Sequence, residues 1–529
     1  MTARRTVAAV DLGSESGRVA TVGFDGRRLE LELGHRFTHE PKVVDGILRW
    51  DLPTLWGGIR TGLAALAAGP TPIASVGVDT WGVDYALRRA DGQLVDEPTC
   101  YRDPRQVAAM SAALEQVGAA ELYRAVGVQL IPINTIFGLL ADVRHRPDRL
   151  AAATGLLMMP DLFHYLMSGA VTSEYTAAST TGALDTRTGR WAWALLERLG
   201  IPTHLLPELV APGTDLGALR LPGAEAGGAL RDCRVIVPAA HDTASAVVAA
   251  PLGGPGSIFI SSGTWSLVGV ETDRAWVNDA ARAANLTNEG GYAGTIRLLG
   301  NVMGLWLLQE CRRQWARDGR DISYPRLAEL AGAEPGLVSL INPDATEFLA
   351  PGDMPRRIRD YCASTGQPVP ESVGAIARCV VDSLALSYRR VIGSVTAVTG
   401  RPAPAVHIVG GGSSHTLLSQ LTADATGLPV YCGPGEATAL GNAAVQLAAL
   451  GELGGLADIR AVVAASLAPV EYQPRPGADW ASASARLAAL SRADAQDPPA
   501  GTAEPGPAAG PDSAGVPADR STDKDSTPA

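Results

Sequence analysis

Short apolar runs separated by tight polar turns open the chain. The apolar segments 6–12 and 18–24 flank a turn from Gly13 to Gly17. Asp25-Gly26 is a strong hairpin signal, and a segment of mostly alternating polarity follows it at 29–37. This pattern predicts a three-stranded antiparallel meander at the start of the chain.

Helical spacing of apolar residues follows the meander. The segment 52–68 has this spacing, with Asp51 placed as a cap and Pro53 in the first turn. The rest of the first half is predicted to contain a strand at 73–78, a strand pair turning at Asp91-Gly92, a mainly helical stretch at 104–168, a turn-rich stretch at 170–232 and a strand at 235–239.

The opening pattern recurs after the Gly/Pro turn at 251–256. Strands are predicted at 257–261 and 264–270 around Ser262-Gly263, and a third at 292–298. Helices are predicted at 301–317, 372–398, 414–427 and 436–450, with strands at 405–409 and 429–432. We interpret the shared order as an internal duplication of an α/β domain, with an N-terminal domain at 1–246, a C-terminal domain at 247–475 and an Ala/Pro-rich tail at 476–529.

Composition narrows the class of protein. A chain of 529 residues exceeds the ~250–300 residues at which one core stops growing. The tail lacks apolar bulk, so we expect it to be disordered from about residue 496. The net charge of −11 argues against a nucleic-acid partner, and no apolar stretch is long enough to predict a membrane span. Six scattered cysteines without a CxxC pair, and an N-terminus unlike a signal peptide, predict a cytoplasmic protein.

Two hairpin tips carry groups that suit phosphate. The first, Asp11 to Arg18, offers backbone N–H groups and serine hydroxyls, and Asp11 could hold Mg²⁺ through water. The second, Ile260 to Ser266, offers the same kinds of donors. An isolated tip of this kind is more often an ordinary turn. One tip in each half of a duplicated chain is more specific, because the two tips could clamp one polyphosphate.

Two further motifs lie at predicted strand ends. Gly410-Gly411-Gly412 precedes a helix, where bare backbone and a helix N-terminus suit a flat anionic ligand. Its pattern is not GxGxxG, which argues against dinucleotide binding. The stretch Asp79 to Asp84 combines carboxylates with Trp81 and suits a sugar, although a core tryptophan with loop aspartates fits equally well.

Asp242 follows the predicted strand at 235–239 and is flanked by small residues. This placement makes it a candidate catalytic base. The alternative is a helix N-cap, a position that favours aspartate.

The two hairpins, the glycine triplet and the lone aspartate resemble the FGGY carbohydrate kinases. The resemblance covers about residues 6–475 and rests on motifs at 78–84, 101–103, 133–135, 159–161, 174–176, 241–245, 261–266, 288–291, 304–309, 341–343, 436–438 and 441–442. It implies an α/β fold of two duplicated ribonuclease-H-like (actin-like ATPase) domains with an interdomain cleft. Gly138 and Gly182 stand where the family pattern has Gln, and Gly300 stands where it has Lys.

The resemblance also implies roles for individual residues. Asp242 would accept a proton. ATP would be contacted by Ser14, Glu15, Ser16, Gly17, Arg18, Thr264, Gln309 and Gly411. The sugar would be held by Gly82, His241, Asp242, Thr243 and Asn301.

The implied reaction is transfer of the γ-phosphoryl group of MgATP to the terminal hydroxyl of L-rhamnulose. A kinase for another ketose or polyol (L-fuculose, xylulose or glycerol) is an alternative, and a non-catalytic actin-like ATP switch is a second. The expected partners are a small ketose and MgATP, with neither nucleic acid nor membrane, in a monomer or homodimer.

Overall fold

The computed structural model describes residues 4–221 and 228–496. In this part of the chain the strands of the first half are β1 (Arg5–Leu12), β2 (Ser16–Phe24), β3 (Leu29–Thr38), β4 (Pro41–Val44), β5 (Ile47–Trp50), β6 (Ser75–Thr80), β7 (Tyr85–Arg88), β8 (Gly155–Met158), β9 (Ser173–Glu174), β10 (Leu184–Asp185), β11 (Arg190–Trp191), β12 (Leu209–Val210), β13 (Asp215–Ala218) and β14 (Arg234–Ile236). Those of the second half are β15 (Ile258–Ser262), β16 (Trp265–Thr272), β17 (Thr287–Gly290), β18 (Ile296–Met303), β19 (Val406–Val409), β20 (Val430–Cys432) and β21 (Val470–Tyr472).

Helices connect these strands in both halves. The first half has α1 (Leu52–Ala67), α2 (Arg105–Val117), α3 (Ala119–Val126), α4 (Thr135–His145), α5 (Pro147–Ala151), α6 (Met159–Ser168), α7 (Tyr175–Ala178), α8 (Trp193–Arg198) and α9 (Asp242–Val248). The second has α10 (Asp279–Ala283), α11 (Trp306–Arg317), α12 (Tyr324–Gly332), α13 (Met354–Ser364), α14 (Val373–Thr399), α15 (Thr416–Thr426), α16 (Ala437–Ala449), α17 (Leu456–Ser466) and α18 (Trp480–Gln496).

Each half is built on one large sheet, and the two sheets share a topology. The first has the order β13-β14-β6-β1-β2-β3, and the second has the order β17-β18-β16-β15-β19-β20-β21. In each, a central strand (β1 or β15) pairs antiparallel with the strand after its hairpin and parallel with β6 or β19. Each ends in an antiparallel edge strand, β13 or β21. The predicted duplication of a ribonuclease-H-like α/β unit is therefore confirmed.

The three-stranded meander and the first helix, both predicted from the sequence, are confirmed. The meander pairs antiparallel throughout, and β1 is buried except at Arg5. Helix α1 begins after Asp51, whose Oδ1 accepts a hydrogen bond from the Thr54 amide at 3.3 Å, with Pro53 in the first turn. A capping carboxylate and an early proline are the features that begin a helix here.

Helices α9 and α16 pack against each other between the two sheets. Their small residues form one apolar cluster with Val7 and Ala9 of β1 and Val409 of β19. The contact needs glycine at position 441, because a Cβ there would lie 1.8 Å from the Ser245 carbonyl oxygen. The halves therefore join at these helices, and a cavity opens between them at the carboxyl ends of the central strands.

Two predicted elements are wrong. The strand pair expected around Asp91-Gly92 is reduced to one isolated bridge, because β7 pairs instead with the distant β8. The strand expected at 292–298 starts later, because Ala293 adopts a left-handed conformation (φ 55°) in a 3₁₀ turn. Strand β18 therefore includes Asn301, which the sequence pattern had placed on a helix, and α11 begins only at Trp306.

The end of the described chain contains a packed helix. Trp480 and Leu487 of α18 are buried in the core of the second half. The part of the predicted tail after residue 496 lies outside the described residues, and the domain boundary at 246 stays a prediction. Across the described ranges, no helix combines the length and hydropathy needed to cross a membrane.

Candidate active site

A cavity of about 250 Å³ lies between the two halves, and nearly all predicted site residues line it. They are Asp11, Ser14, Glu15, Ser16, Arg18, Gly82, His241, Asp242, Thr243, Thr264, Asn301, Gln309 and Gly411. Gly17 does not line it; a Cβ there would lie 2.3 Å from the ring of Phe37, so its glycine serves packing. The departures at Gly138, Gly182 and Gly300 also lie outside the cavity wall.

The first hairpin tip is closed by a hydrogen bond from the Gly13 amide to the Ser16 carbonyl at 3.0 Å. Arg18 Nη2 lies 2.6 Å from Asp11 Oδ2, and its Nε lies 2.8 Å from Glu436 Oε2. The guanidinium is thus held between a carboxylate of each half. Arg18 supplies a positioned positive charge to the cavity wall.

Glu15, at the same tip, reaches across the cavity. Its carboxylate pairs with Arg313 of α11, which also pairs with the buried Glu310. Burial raises the pKa of Glu15, and the Arg313 guanidinium opposes this shift. The ion pair joins the first hairpin to the second half.

The carboxylates of Asp11, Asp79 and Asp242 lie close together beside the first hairpin tip. Asp11 and Asp79 are register partners on β1 and β6, and Asp79 Oδ2 accepts a hydrogen bond from Asn442 at 2.6 Å. Burial raises the pKa of Asp11 to about 6; Asp242 and Glu436 add to the shift, and Arg18 opposes it. Burial, followed by the charge of Asp11, also raises the pKa of Asp79. One guanidinium does not balance this cluster, so a cation fits here.

The donor groups around Asp11 and Asp79 suit a cation that is held mainly through water. Among the described residues no three Asp, Glu, His or Cys side chains are arranged to ligate one metal ion directly. Mg²⁺ commonly takes only one or two carboxylates, together with waters and phosphate oxygens. Asp11, with the unpartnered Oδ1 of Asp79 nearby, suits that mode.

Asp242 is the first residue of α9, and His241 occupies the N-cap position. The N-cap alternative for Asp242 is therefore wrong. Asp242 Oδ1 accepts a hydrogen bond from the Thr243 hydroxyl at 3.2 Å and lies 3.3 Å from His241 Nε2. Its side chain is 29% exposed and faces the cavity. A carboxylate so placed can accept a proton from a bound hydroxyl.

The Asp79–Asp84 stretch contributes less polarity to the cavity than the sequence suggested. Trp81 and Gly82 line the cavity, but Asp84 is buried behind them. Asp84 Oδ2 accepts hydrogen bonds from the indoles of Trp50 (2.5 Å) and Trp81 (2.9 Å). Burial raises the pKa of Asp84 to about 7. This carboxylate orients two rings and makes no contact with the cavity.

The second hairpin and the glycine triplet form the opposite wall. The Gly263 amide donates to the Trp265 carbonyl at 2.8 Å and closes the tip. A Cβ at Gly412 would lie 2.0 Å from Ser262 Oγ, so glycine lets the triplet pack directly on this hairpin. Gln309 Oε1 is buried in the same wall without a protein hydrogen-bond partner, which leaves it available to a ligand.

Several residues near the cavity were not predicted from the sequence. Asn301 is hydrogen-bonded through its amide and side-chain nitrogens to Gln129 Oε1, at 2.9 and 3.0 Å. His241 contacts Glu289 and the fully buried Arg297 of the second half. A charged residue inside the apolar run 296–303 was the available signal for Arg297. Glu436 lies in the motif at 436–438 but was assigned no role from the sequence, and Gln129 has no local signal.

Comparisons with known proteins agree with this architecture. The N-terminal domain model of the FGGY family of carbohydrate kinases matches residues 6–249, and the C-terminal domain model matches residues 258–450. A rhamnulokinase of Bacteroides thetaiotaomicron is 42% identical over 475 residues, covering 90% of this chain and 97% of the relative. A rhamnulokinase of Pectobacterium carotovorum is 42% identical over 490 residues, covering 92% and 97%.

A solved xylulose kinase structure from Lactobacillus acidophilus superposes with a TM-score of 0.74, at 15% identity, and covers 93% of this chain and 98% of that one. This likeness supports the fold. With family models matching most of the chain and relatives matching nearly all of it, the chain belongs to the FGGY family of carbohydrate kinases.

Proposed function

We propose that this carbohydrate kinase transfers the γ-phosphoryl group of ATP to the terminal hydroxyl of L-rhamnulose, giving L-rhamnulose 1-phosphate in L-rhamnose catabolism. One observation carries the proposal: a carboxylate, Asp242, faces the cavity that the two hairpin tips also line. That juxtaposition brings a base, a sugar site and a phosphate site within one cleft.

In the proposed reaction Asp242 accepts the proton of the sugar hydroxyl. The hydroxyl oxygen forms a bond to the γ-phosphorus, the bond from that phosphorus to the bridging oxygen breaks, and ADP leaves. Phosphoryl transfer has a loose transition state, so positioning and charge stabilisation dominate catalysis. Ser14, Ser16 and Thr264 provide hydroxyl and backbone donors around the phosphates.

We assign the ATP site to the tips, Gln309 and Gly411, and a Mg²⁺ site to Asp11 with Asp79 beside it. Bound Mg²⁺ would neutralise phosphate charge. The raised pKa values of both aspartates support this assignment: burial raises them, nearby carboxylates add to the shift, and a bound cation would favour the charged form of both groups. Arg18 holds Asp11 in place through the 2.6 Å contact.

Two observations support L-rhamnulose as the acceptor. The relatives matched over nearly the full chain are named rhamnulokinases. The lining of the cavity also includes both polar and apolar side chains: the amides of Asn134 and Asn301, and the apolar side chains of Val128, Ile131 and Ile133. L-Rhamnulose is a 6-deoxy sugar, so an apolar wall for its methyl group and amides for its hydroxyls fit its chemistry.

The expected partners remain a small ketose and MgATP, and a monomer or homodimer stays a prediction. We place the reaction in the cytoplasm. All six cysteines lie in the described part of the chain and are buried and unpaired, which is typical of a reducing compartment.

An ADP-release assay with MgATP tests the proposal. L-Rhamnulose is compared with L-fuculose, L-xylulose, D-xylulose and glycerol at equal concentrations. The highest kcat/KM for L-rhamnulose is expected. A higher value for another acceptor would reject the substrate and keep the kinase, and no sugar-stimulated turnover with any acceptor would reject the catalytic assignment and favour the ATP switch.

A further inference from the structure

A buried guanidinium contacts the residue next to the proposed base. Arg297 of β18 is fully buried, and its Nη2 lies 3.1 Å from His241 Nδ1. Its Nε donates to the Gly290 carbonyl at 2.9 Å, and its Nη1 lies 3.2 Å from Glu289 Oε2. Burying a charge is costly, and an arginine with this many directed contacts holds its neighbours in a defined geometry.

The chemistry of the guanidinium fixes the proton on His241. Arginine donates hydrogen bonds and accepts none, so the imidazole nitrogen facing it must be the unprotonated acceptor. We propose that Arg297 is a positioning residue that sets the tautomer of His241 with its proton on Nε2. The protonated Nε2 then lies 3.3 Å from Asp242 Oδ1, at the cavity wall. This inference rests on the proposed role of Asp242.

Glu289 is the competing partner. Its Oε2 lies 3.4 Å from His241 Nδ1 and would favour a proton on that nitrogen. The same oxygen lies nearer to Arg297 Nη1, at 3.2 Å, and forms an ion pair with it. Burial lowers the pKa of Arg297, and the negative charges of Glu289, Asp242, Glu174 and Glu271 oppose this shift. A guanidinium is not deprotonated in proteins, so Arg297 remains a donor. The shorter contact to Nδ1 therefore belongs to Arg297.

The arrangement joins residues of the two halves next to the proposed base. The backbone of His241 is anchored in the first half, where its amide donates to Thr176 Oγ1 at 3.1 Å. Arg297 belongs to the second half. The ring therefore makes its Nδ1 contact with a residue of the other half.

Nuclear magnetic resonance tests the tautomer without substrate. The full-length protein is labelled with ¹⁵N-histidine, and the signals of His241 are assigned by their loss in His241→Asn. The expected result is an unprotonated Nδ1 and a protonated Nε2 in the wild-type protein, unchanged in Glu289→Gln. A protonated Nδ1 in the wild type would overturn the proposal.

Kinetics tests the consequence. Arg297→Met/Glu289→Gln removes both buried charges together, which avoids leaving one unpaired. Its kcat for the sugar is expected to fall by roughly 10- to 100-fold, the range seen when the partners that orient metal-ligating side chains are removed. The KM for ATP should change little. Arg297→Lys should recover only part of kcat, because an ammonium group cannot reproduce the fixed, forked arrangement of donors in a guanidinium. An unchanged kcat would overturn the proposal.

A matched surface pair controls for folding. Arg282→Met/Asp279→Asn removes an exposed ion pair from the same half and should leave kcat unchanged. Thermal midpoints identify any variant that is not folded. If a variant is not folded, the tautomer measured in the wild-type protein decides whether the proposal holds. Normal turnover in Asp242→Asn would reject the base but leave the tautomer result standing, whereas an inactive Asp242→Asn with a protonated Nδ1 would reject only the role of Arg297.

Discussion

Replacing Asp242 by asparagine removes a proton acceptor and leaves most of the local structure in place. Asparagine has nearly the same size, and its Oδ1 can still accept from the Thr243 hydroxyl. The side chain is 29% exposed, so no large buried contact is lost. A loss of activity in Asp242→Asn would therefore report chemistry and not misfolding.

The expected loss is large. A positioned general base typically contributes ~10²–10⁴-fold to turnover. This range corresponds to about 2.7–5.4 kcal/mol of transition-state stabilisation. Nucleotide binding should survive, because Asp242 adds to the raised pKa of Asp11 and its removal makes that carboxylate easier to ionise. The KM for MgATP should accordingly stay close to that of the wild type.

The assay is ADP release with L-rhamnulose, with MgATP varied at a fixed sugar concentration. Asp273→Asn, an exposed aspartate of the second half, is the matched control. Thermal midpoints with and without MgATP show whether folding and nucleotide binding are intact. A kcat for Asp242→Asn within about tenfold of wild type would refute the base assignment, since it falls below the range for a general base.

Three other changes test the surroundings of the site. Burial raises the pKa of Asp84 to about 7, so its stabilising contribution is complete below the ordinary value of 3.8 and is lost as pH rises through 7; Asp84→Asn should flatten the fall in thermal midpoint between pH 5 and 8, and an unchanged slope would contradict this. Glu15→Gln breaks a partly exposed ion pair with Arg313, so the KM for ATP should rise by at most about 5-fold, with the effect reduced in high salt. Gly441→Ala forces a contact between α16 and α9 and should destabilise the protein by roughly 1–3 kcal/mol, whereas Gly393→Ala, with nothing within 4 Å of the added carbon, should not lower the thermal midpoint.

The sequence predicted those parts of the fold whose causes are local. Hairpin turns at the tips, the capping Asp51 and the alternation in β3 each act over a few residues, and the structure has all of them. The strand pair at Asp91-Gly92 failed because the partner of β7 lies about seventy residues further on, at β8. A turn signal predicts that the chain reverses direction, but it does not determine which strand pairs with β7.

The same limit applies to the site. The turn motifs and Asp242 were recognisable because their chemistry lies within one short segment. The partners of Arg18 and Glu15 were not, since Glu436 and Arg313 come from the other half of the chain. The pattern around Asp84 suggested a contact with a sugar. The Asp84 carboxylate instead accepts hydrogen bonds from two buried indoles, so it is not free for a ligand. Long-range pairing decides which polar groups remain free for a ligand.

The two sheets place equivalent hairpins at the cavity, but their strand ends carry different chemistry. In the first half β1 and β6 end with Asp11 and Asp79, and α9 begins with Asp242. In the second half β15 ends in serines, and glycines follow β19. The strand ends of the first half therefore carry carboxylates, whereas those of the second half carry hydroxyls and bare backbone; the carboxylates that the second half brings near the site, Glu289 and Glu436, lie at other positions. We therefore expect Asp11→Asn or Asp79→Asn to lower kcat in the ADP-release assay more than Ser261→Ala does, and an equal or larger loss in Ser261→Ala would contradict this reasoning.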